Sequence, residues 1–231
     1  MTIDRKIWGD KMVKISTMKN MRSKFAFLSL FFLIGLIALQ IPFTRLLGGN
    51  VTFTLYDFLA PTAGAFLATL PGIMTVLLIQ LVNFLIHPDS FTGFASLIRI
   101  FPVLFAVFYF AKNRKYNLLI PVLSILIFNL HPIGRSTWQY SLLWLIPIAA
   151  HFYRKNLFLR SLGATFSAHA VGGALWVWAF GLSKELWLAL IPQTLMERTL
   201  MAGGISLSYF ALKRLIRFMQ AKKVIILPVF S

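Results

Sequence analysis

The stretch NFLIHPDSFTGFASLIRIFPVLFAVFYFAKNRKYNLLIPVLSILIFNLHP, Asn83 to Pro132, decides the fold. It holds two apolar runs of helical length and three kinds of punctuation. His87-Pro88-Asp89-Ser90 opens it, Lys112-Asn113-Arg114-Lys115 divides it, and His131-Pro132-Ile133-Gly134 ends it. Proline, glycine and Asp/Ser clusters mark turns, and apolar runs of about 17–25 residues mark membrane helices. The pattern is therefore an up-and-down helical hairpin with its basic turn on one side and its His-Pro turns on the other.

Working outward, the same reading gives eight hydrophobic segments, about 25–43, 53–70, 72–87, 95–111, 116–130, 137–153, 161–181 and 186–212. The expected fold is all-α, a polytopic transmembrane bundle of 25–215. A basic cytoplasmic segment, 1–24, precedes it and a basic, apolar tail, 216–231, follows it. Leu47-Gly48-Gly49-Asn50 and Pro71-Gly72 are read as turns. The pair 53–70 and 72–87 is also readable as re-entrant, which leaves six full passes.

Composition supports lipid as the solvent. The apolar set is 58% of 231 residues and charged residues only 13%, against about a quarter charged in soluble domains. The net charge of +17 is sorted by position. The N-terminus, 112–115, 154–160 and 213–223 hold 18 of the 23 Lys and Arg, and all four fall on one side of an eight-pass bundle. Basic loops face the cytoplasm. Both termini are thus expected inside the cytoplasmic membrane, and the charge points to anionic lipid, not nucleic acid. Residues 25–41 follow a basic region but lack a cleavage signature, so they read as an uncleaved first helix. No cysteine is present, which excludes disulfides and thiolate chemistry. No cofactor is expected. The four histidines have no metal-ligand spacing.

Asn83–Asn113 resembles Ile127–Asn156. Each has His-Pro, then Ser-Leu, a proline, Phe-Tyr and Lys-Asn, offset by 44 to 45 residues. Repeats of one helical hairpin are a common plan for transporters.

The candidate site rests on polar groups that lipid penalises by about 3 kcal/mol or more per charge. These are Asp57, Arg99, Glu197 and Arg198, with His169 at comparable depth. Asn83, His131 and Trp144 join them from the outer half, where His87, Arg135, Trp138, Gln139, Tyr140 and Trp176 also cluster. Glu197 and Arg198 are neighbours, about 100° apart on a helix, so each is expected to find a partner on another helix. His169 or Arg99 would serve Glu197, and Asp57 would serve Arg198.

Two stretches carry a family resemblance. LAPTAGAFLATLPGIMTVLLIQLV (Leu59–Val82) and IPQTLMERTLMAGGISLSYFALKRL (Ile191–Leu215) resemble the second, third and closing helices of the substrate-binding S components of energy-coupling-factor vitamin transporters. The resemblance implies capture of a vitamin-like small-molecule solute from outside. It also implies a membrane scaffold subunit and cytoplasmic ATPases as partners, because no nucleotide-binding P-loop occurs in this chain. The expected function is solute uptake without chemistry. One alternative is a non-catalytic membrane assembly or anchor protein. Another is an intramembrane enzyme using Glu197 and His169, since Glu197-Arg198 and Phe166-Ser167-Ala168-His169 resemble parts of CAAX-type proteases.

Overall fold

The structure is a computed structural model that describes residues 21–45, 52–88 and 94–222. The basic stretch 1–20, the Leu47–Asn50 turn, Asp89-Ser90 and the tail beyond 222 lie outside the described residues.

The architecture is all-α with one small hairpin. Helix α1 (Met21–Leu39) leads into strands β1 (Pro42–Arg45) and β2 (Thr52–Thr54), which pair antiparallel. A broken helical stretch follows: α2 (Tyr56–Leu59), a 3-10 turn (Ala60–Thr62) and α3 (Ala63–Phe66). Then come α4 (Thr69–Ile86), α5 (Phe94–Ala111), α6 (Tyr116–Leu130), and the short α7 (Pro132–Ser136) and α8 (Trp138–Ser141). A 3-10 turn (Leu142–Trp144) joins α8 to α9 (Leu145–Phe152). The chain closes with α10 (Leu157–Ala179) and α11 (Lys184–Ala221).

The expected segment 53–70 is corrected. It starts as a strand and continues as 56–66, too short to match its neighbours. The expected turn at Pro71-Gly72 lies inside α4. The chain reverses instead at Ala68, the residue before α4, whose φ of 72° is positive, a backbone conformation that alanine rarely adopts. Proline is tolerated there because a helix's first turn has no partner for its N–H groups. Of the supposed re-entrant pair, only the first arm is short; α4 has 18 residues. The last helix also runs past Leu215 to Ala221, 38 residues in all, or about 57 Å.

Side-chain contacts fix the directions. Gly35 meets Ile79, and Gln40 Nε2 donates to Asn83 Oδ1 at 2.8 Å, so α1 and α4 run in the same sense. Gly163 meets Tyr109 while Gly172 meets Pro102, which makes α10 antiparallel to α5. Ser206 Oγ donates to Ser161 Oγ at 3.0 Å and Thr165 lies by Met201, so α11 is antiparallel to α10. Helix α10 sits centrally, against α5, α6, α9 and α11.

Among the described residues one helix, Thr69–Ile86, is both long and apolar enough to cross a membrane by length and composition. Shorter apolar helices cover Phe25–Leu39, Ser96–Ala111 and Tyr116–Leu130. In α10 and α11 several mid-helix polar residues are turned inward. Ser161, Thr165, Ser167, Thr194, Glu197 and Arg198 are buried.

Part of the basic sorting is structural. Arg154 Nη2 donates to the carbonyls of Tyr109 and Lys112, and Arg160 donates to those of Phe110 and Ala111. Each guanidinium also lies over a ring, Arg154 on Tyr109 and Arg160 on Phe110. Two cations thus close the carbonyl end of α5, where the helix dipole is negative. Burial pulls the Arg154 guanidinium below its ordinary value, and the neighbouring Tyr109 counters only part of that shift.

The adjacent Asn156 starts α10 by accepting the N–H of Leu159 at 3.1 Å. An Asn156→Ala chain should lose about 1 kcal/mol, read as a lower melting temperature in mild detergent. Asn156→Asp should retain the wild-type value. Equal melting of all three would remove the capping role.

Candidate functional site

One end of the bundle opens into a cavity of about 340 Å³, within the usual ~300–1,000 Å³ of small-molecule sites. Its rim holds Leu39, Asn83, Ser96, Trp176 and Leu182, the ends of α1, α4 and α10 and the starts of α5 and α11. It narrows to Ala106, Thr165 and Ile205 in mid-bundle. The opposite end of the bundle carries Lys112 and Arg154, at the far end of α5.

The hairpin forms one wall. Phe53 of β2 lies under the Arg198 guanidinium, 4.5 Å from carbon to ring centroid. Thr54 N donates to Asp57 Oδ2 at 2.8 Å, which holds the carboxylate in the first turn of α2. The other strand anchors the hairpin through Phe43, whose ring meets Phe58 edge-on at 4.7 Å. Asp57 also interacts electrostatically with both Arg99 and Arg198.

Helix α11 forms a second wall by periodicity. Trp187, Leu190, Arg198, Met201 and Ile205 face the cavity, a spacing of three and four that keeps one helical face inward. Thr194 belongs to the same face and reaches Tyr140 Oη at 3.3 Å. The Tyr140 hydroxyl also lies 2.8 Å from His169 Nε2.

Five of the eight residues singled out from sequence line this cavity: Asp57, Asn83, Arg99, His169 and Arg198. Asn83 holds Gln40, and His169 holds Tyr140. Asp57 is close enough to feel the charges of both Arg99 and Arg198, while the ion pair of Arg198 is with Glu197.

Three residues fall elsewhere. His131 caps α7, its Nδ1 accepting the Ile133 N–H at 3.3 Å, with its ring on Trp178. Trp144 is fully buried behind the wall, packed on Phe128 and on the open face of Gly173. Glu197 is buried but off the wall. Its Oε1 accepts from Gln193 Nε2 at 2.7 Å, and its Oε2 lies 3.7 Å from Arg198 Nη2. The expectation that Glu197 and Arg198 each turn to another helix is corrected in this respect. Both side chains are long enough to meet despite their 100° offset.

Sequence reading missed Gln80 and Trp187, which line the cavity, and Phe53. Gln80 had a visible signal, as an amide in an apolar run three residues before Asn83. Trp187 was legible as the first member of the inward α11 stripe. Phe53 had no signal, since its strand was hidden in an apolar segment. Among the described residues, no three His, Asp or Glu side chains converge as a metal site.

No family model matches the chain, and no solved structure matches it. An uncharacterized protein of Methanocaldococcus jannaschii is 28% identical over 201 residues, covering 77% of this chain and 67% of that relative.

Proposed function

We propose that the chain is a multi-pass protein of the cytoplasmic membrane, with eight hydrophobic segments and both termini inside. It binds a small solute from the outer face and serves uptake, without chemistry of its own. One observation carries this reading: the polarity of the helices is inverted. In α11, Glu197 and Arg198 are 5% and 4% exposed, while Leu207 is 71% exposed. In α6, Asn117 and Ser124 are buried, and Leu119, Leu123, Leu126 and Leu130 are exposed. In α4, Leu70, Met74, Leu78, Leu81 and Leu85 are all exposed. Water would penalise that exterior, whereas lipid favours it.

The cavity supports solute binding because buried charge in such a setting is retained mainly where it pairs or acts. Its mouth lies at the end away from the basic 112–115 and 154–160 stretches, hence outward by the positive-inside rule. The broken stretch 56–66 and the hairpin supply non-helical backbone beside the cavity, where membrane proteins tolerate it. The resemblance to energy-coupling-factor S components favours a scaffold subunit and cytoplasmic ATPases as partners. The enzyme alternative is less favoured, since Glu197 hydrogen-bonds Gln193 and is not on the wall that bears His169. A pure anchor would need no polar cavity.

Mass spectrometry of small molecules released from the gently purified protein tests this. The expected result is a solute retained in stoichiometric amount and lost when Gly172→Leu adds a side chain beside Pro102 on the cavity lining. A solute-free preparation, or one whose retained molecules are unchanged by that substitution, would contradict it.

A further inference from the structure

The cavity wall has a chemical bias that narrows the solute. Among the described residues, three buried lining atoms have no hydrogen-bond partner: Gln80 Nε2, Trp187 Nε1 and Arg198 Nε. All three are donors, and an indole or a guanidinium can only donate. Trp187 and Arg198 are 2% and 4% exposed, so bulk water does not serve them. A buried unpaired donor costs about 1–3 kcal/mol, so an occupant that brings an acceptor to any of these groups relieves that cost.

Charge on the wall has the same sense. Arg99 and Arg198 face Asp57 across the lining, and Asp57 already accepts the Thr54 N–H. Glu197 stands behind the wall, with its Oε2 at 3.7 Å from Arg198, beyond hydrogen-bond length. The Arg198 guanidinium therefore keeps donor capacity for the cavity side. A cationic solute would meet two guanidiniums there. The rest of the lining combines the rings of Phe53, Tyr140, Trp176 and Trp187 with aliphatic side chains such as Leu190, Met201 and Ile205.

We propose that the solute is an organic anion, a flat ring system bearing one acidic group that Arg198 and Trp187 hold by donated hydrogen bonds. This rests on the solute-binding reading above. Charge-assisted contacts to an arginine are the strong ones, and rings between aromatic walls gain stacking and apolar burial.

The test uses three matched probes: 2-naphthylacetate, 2-naphthylacetamide and 2-(2-naphthyl)ethylamine. Each is titrated against the full chain in lipid nanodiscs, with Kd read from the rise in melting temperature. The acid should bind about tenfold or more tightly than the amide, and the amine should give no shift. Arg198→Gln should erase the preference for the acid, as should the Glu197→Gln/Arg198→Gln double variant, which avoids leaving Glu197 unpaired. Asp57→Asn should preserve or strengthen it. Preference for the amine or the amide, or an acid preference untouched by both Arg198 variants, would overturn the proposal. If no probe shifts melting while the wild type still retains a small molecule, the anion class falls and solute binding stands. If nothing is retained either, both fall.

Discussion

Replacing Arg198 with methionine should destabilise the fold by about 3–5 kcal/mol and abolish solute retention. The reason is the charge left behind. Glu197 is 5% exposed, and its Oε2 faces Arg198 at 3.7 Å. Removing one member of a buried pair leaves an uncompensated ion, whereas replacing both members is often neutral. The Glu197→Gln/Arg198→Met double variant should therefore melt near the wild type while still failing to retain solute. Melting temperature and retained ligand, measured on the same preparations, separate the two effects. Recovery of retention in the double variant would move Arg198 from binding to packing. Full stability in the single variant would mean that Glu197 is neutral or solvated where it lies.

Gly64→Ala should cost about 3 kcal/mol and disrupt the cavity, although the change is one methyl. An added Cβ at Gly64 would sit 2.3 Å from the Val107 carbonyl oxygen and 3.0 Å from Ala111. These are largely backbone atoms of α5, which cannot turn aside as a side chain does. The substitution must push the 56–66 stretch off α5, and overpacking of this kind costs about 1–3 kcal/mol, occasionally more. Asp57 and Arg99 ride on those two elements, so their spacing across the cavity changes with it. Gly203→Ala is the matched control. It lies inside α11 with nothing within 4 Å of its added methyl. It should gain about 0.5–1 kcal/mol from helix propensity alone. Melting both variants against the wild type checks the pair, and equal destabilisation would contradict the close approach at Gly64.

The helices were legible where period and punctuation agreed. Lys112–Lys115 and His131-Pro132 bound the end of α5 and both ends of α6 to the residue, and His87-Pro88 marks the end of α4. The polar residues that lipid penalises led to Asp57, Arg99, His169 and Arg198, because few physical reasons retain such groups in an apolar helix. The hairpin was not legible. Its strands have four and three residues, and the second merges into the apolar run after Thr54. Nor was the reversal at Ala68, since alanine gives no turn signal. The nearby Pro71-Gly72 gave a false one, because proline in a helix's first turn reads identically to proline in a loop. His131 carried a signal that was passed over: proline at the first helical position makes the residue before it a capping candidate. Trp144 lay beyond reach, for sequence does not say which side of a wall an indole occupies.

The most direct test of a lipid-embedded bundle with an outward cavity exploits the absence of cysteine from the chain. Single cysteines at Asn113, Lys155 and Gly181, all exposed positions, are treated with a membrane-impermeant maleimide in intact cells and again after permeabilisation. Gly181→Cys, at the rim end, should label in intact cells. Asn113→Cys and Lys155→Cys should label only once the membrane is opened. Labelling of 113 and 155 from opposite faces, or of 181 together with them, would contradict the account, as would recovery of the chain in the detergent-free soluble fraction.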